Sequence, residues 1–370
     1  MNILYVSNLS NNIDSGLNWS VPAGVKSQQK YDNVLWIDLT IGAFQQHWSE
    51  VEAYHNIAEY GGKLKLSLLP FPFSRPDVVV FEGFYYLNQV RFAKELHRNG
   101  VPYVIIPRGS LTSMALKMGG WKKRLKKQLA HVLLFNRFVS AAAALQYLTT
   151  EEAIESCQHF HTPYFILPNG ISLPARRKDG FSKGIRALFI GRLDIHHKGL
   201  DLLLTSINEM KSALKSEGFT LDIYGAPRYD VTRITEMIDK LDLSDMVTNH
   251  ARVVTGKEKQ QIILNADVFV LTSRFEGHPM GLIEALSYGL PVLITRGSNM
   301  LDEVLISHAG WGAETTVDGI KRSLCQMISD KSHYPDMSKN AILLSSRYDW
   351  DKLAWQFHNE LQRLLENNEN

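Results

Sequence analysis

Two short apolar runs, Val268 to Leu271 and Leu290 to Ile294, bracket a stretch, Gly281 to Tyr288, that reads as a helix closed by Gly289. Leu282, Ile283, Ala285 and Leu286 fall on one side of that helix. A strand that returns through a single helix to another strand lies parallel to it, so the chain must build a parallel sheet covered by helices. Ligands of such sheets sit beyond the carboxyl ends of the strands. The loop Arg274-Phe275-Glu276-Gly277-His278-Pro279 therefore stands at a ligand mouth. Glu276 belongs to the loop and Glu284 to the first turns of the helix, on either side of the amides at the helix start. Those amides suit an anion and carboxylates accept from hydroxyls, so the expected ligand carries both phosphate and sugar. A solvated loop charge followed by an ordinary first-turn glutamate would read the same.

A second junction favours the ligand. Arg186 to Ile190 is another strand, running into Gly191-Arg192-Leu193-Asp194 and then His196-His197-Lys198-Gly199-Leu200-Asp201, where a helix begins. Arg192 and Lys198 would meet phosphate oxygens there while backbone amides face them.

With both junctions in view, the chain resembles the retaining glycosyltransferases of family 4. The pieces follow that family's order. Met1 to Ser7 looks like the first strand and Pro22-Ala23-Gly24-Val25 like the glycine loop after it. Pro107-Arg108-Gly109-Ser110-Leu111, then Trp121-Lys122-Lys123-Arg124, is similar to a segment with histidine where Arg108 stands. Leu167-Pro168-Asn169-Gly170-Ile171 resembles the family's turn at the domain junction, with Ser172 where an acid is common. The resemblance implies an α/β fold of two Rossmann-like domains facing across a cleft, the arrangement called GT-B. It implies that Arg192 and Lys198 stabilise the departing diphosphate, that Glu276 faces the transferred sugar with the amides of Gly277, His278, Pro279, Met280 and Gly281, and that Glu284 holds the ribose. Gly24 and Arg108 would join the donor site from the first domain. No metal or other cofactor is then required, and transfer proceeds with retention. The donor is expected to be a UDP-sugar in preference to a GDP-sugar, and the acceptor a saccharide, free or lipid-linked, in surface polysaccharide or glycan synthesis.

A chain of 370 residues suggests two domains. We read residues 1–171 as the acceptor-side domain, 172–184 as a polar linker, 185–347 as the donor domain, and 348–370 as a helix returning to the first domain. That last helix places Trp350, Leu353, Ala354, Phe357, Leu361, Leu364 and Leu365 at helical spacing. The net charge of +2 gives a nucleic-acid role no support. There is no apolar run long enough to span a membrane and the chain opens on a strand, so a cytoplasmic protein is expected. Cys157 and Cys325 lack metal spacing and read as small buried hydrophobes. His196, His197 and His278 read as solvated or structural histidines.

Lys117 to Phe138 combines an apolar stripe, Trp121, Leu125, Leu129, Val132 and Leu133, with Lys117, Lys122, Lys123, Arg124, Lys126 and Lys127. That pattern suits peripheral contact with an anionic membrane face, although a packed first-domain helix would show the same stripe. Two rival functions stay open: a nucleotide-sugar epimerase of the same architecture, for which no acid-base residues stand out, and a non-catalytic carbohydrate-binding protein. A dinucleotide-dependent dehydrogenase fits less well still, since Gly-x-Gly-x-x-Gly with an acid about 20 positions later is absent after the first strand.

Overall fold

The computed structural model describes residues 1–10, 16–42, 46–112, 134–157, 160–227 and 230–369. The basic stretch from Lys117 lies outside these residues as far as 133. The chain forms two compact units: Met1–Gly170 with Trp350–Asn370, and Ile171–Asp349.

The first unit holds seven parallel strands: β1 (Asn2–Ser7), β2 (Asn33–Asp38), β3 (Tyr54–Asn56), β4 (Val78–Glu82), β5 (Tyr103–Ile106), β6 (Ala144–Tyr147) and β7 (Tyr164–Ile166). Their order is β3-β2-β1-β4-β5-β6-β7. Both sheet faces are buried, which is why the central strands read as unbroken apolar runs. Alternate residues serve opposite faces: Leu4, Val6, Val79 and Phe81 pack with Phe92 and Leu96 of the helix Leu87–Arg98, and Ile3, Tyr5, Val78 and Val80 pack in a separate cluster. That second cluster includes Leu353, Phe357 and Leu361. The terminal helix Trp350–Glu369 is therefore part of the first unit's core.

The second unit has six parallel strands: β8 (Ile185–Ile190), β9 (Phe219–Tyr224), β10 (Val247–Asn249), β11 (Val268–Leu271), β12 (Val292–Thr295) and β13 (Gly310–Ala313), in the order β10-β9-β8-β11-β12-β13. β11 pairs with β12 in parallel, Phe269 opposite Val292 and Leu271 opposite Ile294. The strand order reverses between β8 and β11, the point where open parallel sheets bind ligands. Residues 172–184 belong to this unit: Lys178 Nζ lies 3.2 Å from Asp267 Oδ1, and Phe181 packs edge-on against Tyr334. Among the described residues, no helix is long and apolar enough to cross a membrane.

Two sequence expectations need correction. Pro22 to Val25 is not a loop but the middle of the helix Leu17–Gln28, which starts directly after Gly16. Pro22 has no N–H for the carbonyl of Asn18, and that oxygen accepts from His47 Nε2 at 2.7 Å and Trp48 Nε1 at 3.1 Å instead. The helix thus survives an internal proline because side chains replace the lost bond. The cysteines are not buried: Cys325 is exposed and Cys157 half-buried. The helix Val317–Ser329 turns Ile320, Leu324 and Met327 inward and leaves Cys325 outside.

Candidate functional site

The loops leaving β8 and β11 meet at the strand-order reversal. Gly199 makes the approach close: it has φ +61°, and a Cβ there would stand 2.0 Å from the carbonyl oxygen of Thr272. Thr272 Oγ1 donates to the carbonyls of Lys198 and Gly199 at 3.2 and 3.1 Å, which fixes the turn from the opposite side.

Out of this turn Lys198 reaches Glu276, Nζ to Oε1 2.5 Å, and Ser273 Oγ donates to the same oxygen at 2.5 Å. The two side chains are only 10% and 9% exposed, so the pair is largely removed from water. Asn299, in the left-handed region at φ 58°, donates Nδ2 to the Glu276 carbonyl at 2.5 Å and holds the glutamate loop from the β12 side.

His197 ties the loops together a second time. Its Nε2 lies 2.7 Å from the carbonyl of Phe275 and must donate, since a carbonyl only accepts. Nδ1 is then the acceptor, and Arg192 Nη2 lies 3.3 Å from it. Burial and then the neighbouring Lys198 lower the pKa of His197, so the neutral ring this arrangement needs is the favoured one. The imidazole also stacks on the Phe275 ring at 3.9 Å. Arg274 points away, making a two-pronged bond to Asp201 at 2.7 and 2.8 Å.

Glu284 lies on the helix Met280–Ser287, which is preceded by Pro279. Its Oε2 pairs with Lys259 Nζ of the helix Gly256–Asn265, and both side chains are about a quarter exposed, 29% and 24%. His278 sits just before the helix with its ring 5.4 Å from that of Tyr348. At the neighbouring strand ends, Tyr224 and His250 stack at 4.1 Å, with the Arg252 guanidinium 5.4 Å from the Tyr224 ring.

Of the residues expected from sequence, the second unit thus brings Lys198 and Glu276 into contact, links Arg192 to them through His197, and presents Glu284 from the following helix. Gly24 and Arg108 belong to the first unit. Gly24 faces the Trp350 ring, a Cβ there lying 3.3 Å from it, and so acts as a packing residue within a helix. Arg108 pairs with the buried Glu82, Nε to Oε2 2.7 Å. Sequence reasoning missed Ser273, Lys259 and Asn299 as partners. Only Ser273, three residues before Glu276, carried a local signal.

A family model described as "Glycosyl transferases group 1" matches residues 174–343. Among curated relatives, D-inositol 3-phosphate glycosyltransferase of an Arthrobacter species is 26% identical over 59% of this chain and 55% of its own length. The amylovoran biosynthesis glycosyltransferase AmsD of Erwinia amylovora is 27% identical over 55% and 60%. The chain thus spans a little over half of the length of those relatives. Among solved structures, Anabaena Alr3699/HepE in complex with UDP superposes with a TM-score of 0.76 at 15% identity, covering 98% of this chain and 100% of the other. Residues 174–343 contain all four of the charged residues set at the two loop junctions, so the part of the chain that is similar to the group 1 glycosyl transferases is the part that carries the candidate site, and the fold is that of the GT-B structures.

Proposed function

We propose that the chain transfers a hexose from a nucleotide diphosphate-sugar to a saccharide acceptor, free or lipid-linked, with retention of anomeric configuration and without a metal ion. The observation that carries this reading is the buried Lys198–Glu276 pair at the strand-order reversal, with Arg192 tethered beside it. Breaking the anomeric bond builds negative charge on the departing diphosphate. A preset ammonium and guanidinium stabilise that charge in the role otherwise taken by a divalent cation. Glu276 holds Lys198 in position and, as the diphosphate takes over the ammonium, gains a carboxylate oxygen for the hydroxyls of the sugar. Glu284 offers its other oxygen to the ribose. The leaving phosphate oxygen then takes the acceptor's proton on the same face of the sugar, so no separate base is assigned. The UDP held by the similar HepE structure supports a uridine donor.

The test is a screen of UDP- and GDP-hexoses against saccharide acceptors before and after exhaustive chelation, with the product's anomeric configuration read by NMR. Transfer that continues after chelation and gives the donor's own anomer supports the reading. An inverted product, or activity restored only by added metal, refutes its mechanism.

A further inference from the structure

In the first unit, the segment between β3 and β4 packs on the helix Leu87–Arg98 and sends its side chains in two directions. Leu66, Leu69 and Phe73 are buried in one cluster with Phe92 and Leu96 of that helix, and the Leu66 amide donates to Glu95 Oε1 at 3.1 Å. Leu68 and Phe71 point the other way, 46% and 89% exposed. Three buried neighbours thus anchor a turn that holds a phenyl ring almost wholly in water, where a folded chain gains nothing from it. Pro70 and Pro72 on either side of that ring have no N–H, and the amides of Ser74 and Arg75 donate to the carbonyls of Pro70 and Pro72 at 3.1 and 2.9 Å. Donors already absent or bonded lower the cost of taking this turn out of water.

The charge around the turn is of one sign. Gly61 to Gly100 holds six cations, Lys63, Lys65, Arg75, Arg91, Lys94 and Arg98, all exposed. The last three form one stripe of the helix, at i, i+3 and i+7. The three acids of the stretch are engaged elsewhere: Asp77 accepts from the Asn2 amide at 2.7 Å, Glu82 is buried against Arg108, and Glu95 holds the Leu66 amide. Among the described residues none of the six cations enters an ion pair, whereas Lys211, Lys215, Lys321, Lys331 and Lys339 of the second unit each have a carboxylate partner. Uncompensated cations suit an anionic surface, and an apolar turn beside them suits a surface with an apolar interior. The phosphates of a nucleic acid would use the cations and leave Leu68 in water.

We propose that this face docks on an anionic lipid bilayer, with Leu68 and Phe71 entering the interface and the six cations lying over the lipid phosphates. The face shares no residue with the basic stretch Lys117 to Phe138, and its docking requires nothing of the donor chemistry.

The experiment uses the full chain in flotation with vesicles of phosphatidylcholine alone or mixed with phosphatidylglycerol. Binding should require the anionic lipid and fall with added salt, since the Debye length shrinks from about 10 Å at 0.1 M to about 3 Å at 1 M. Each cation near the lipid surface contributes about fivefold to partitioning, so Arg91→Gln/Lys94→Gln/Arg98→Gln should lose about a hundredfold. Phe71→Ser should lose about tenfold at every salt concentration, because its part is apolar. All four side chains are exposed, so thermal unfolding of both variants should match the parent. Equal binding to the two kinds of vesicle, no binding to either, or parental binding in either variant overturns the proposal. Binding that falls only with Lys122→Gln/Lys123→Gln overturns it by putting the contact outside this face. DNA binding that the triple variant abolishes, without vesicle binding, overturns it in favour of nucleic acid.

Discussion

Replacing Lys198 with Met separates what the buried pair does for stability from what it does for transfer. The substitution strands Glu276, whose side chain is 9% exposed. Removing one partner of a buried ion pair costs about 3 to 5 kcal/mol because the other charge is left without its counterion. Ser273 Oγ still donates to Glu276 Oε1, which places the cost near the lower end, about 3 kcal/mol. For a unit of this size that is a fall in Tm of about 6 to 12 °C. Glu276→Gln should cost a similar amount by stranding the ammonium. The double variant Lys198→Met/Glu276→Gln removes both charges, and its stability should return to within about 1 kcal/mol of the parent. Transfer should not return with it: loss of a leaving-group stabiliser lowers turnover about a hundredfold to a thousandfold, in the Lys198 single variant and in the double alike. Urea unfolding and turnover on the same preparations read both effects. Additive destabilisation in the double variant would show that the pair is not coupled, and undiminished turnover in Lys198→Met would refute the phosphate role.

Gly199→Ala should destabilise the second unit by about 2 to 4 kcal/mol in urea unfolding, since it combines a left-handed backbone with a Cβ 2.0 Å from the Thr272 oxygen; an unchanged midpoint would mean that the turn can shift. Glu284→Ala should weaken UDP binding by about tenfold in calorimetry through loss of a charged acceptor for the ribose, and an equal Kd would remove Glu284 from the donor site. Burial raises the carboxyl of Asp38 from 3.8 to about 6, so its contribution to stability is fully present below about pH 4 and is lost as the pH rises through 6. Asp38→Asn should therefore gain up to about 3 kcal/mol over the parent near pH 7.5, a gain that shrinks on acidification; a variant less stable at neutral pH would contradict this.

The central strands were legible because burial on both faces writes them as apolar runs, as in Val78 to Phe81 and Val268 to Leu271. Besides Ala144–Tyr147, which lies inside the first sheet, the strands that went unread, Tyr54–Asn56, Tyr164–Ile166, Val247–Asn249 and Gly310–Ala313, are the four sheet edges. Each is short and partly exposed, so its letters need not be apolar. Pro22 and Gly24 were read as loop residues because local chemistry says so, and the bonds that overrule it come from His47 and Trp48, well outside any local window. At the candidate site the charged residues stood out by their junctions. Their partners did not, because which carboxylate meets Lys198 or Lys259 depends on the β8–β11 neighbourhood and on how two helices pack.

The placement of Trp350–Glu369 in the core of the first unit sets an order on synthesis. One face of that unit's sheet, with Trp36, Val80 and Val104, has no final cover until Leu353, Phe357 and Leu361 have been made. The whole second unit is translated in between, which at 5 to 20 residues per second takes roughly 10 to 40 s. During that interval this face has only the cover given by Val21 and Val25 of the helix Leu17–Gln28 and by Trp48, and the apolar surface awaiting the terminal helix is the kind that chaperones bind. The second unit contains its own core from Ile171 to Tyr348 and can close first, so a segment translated after the second unit completes the core of the first.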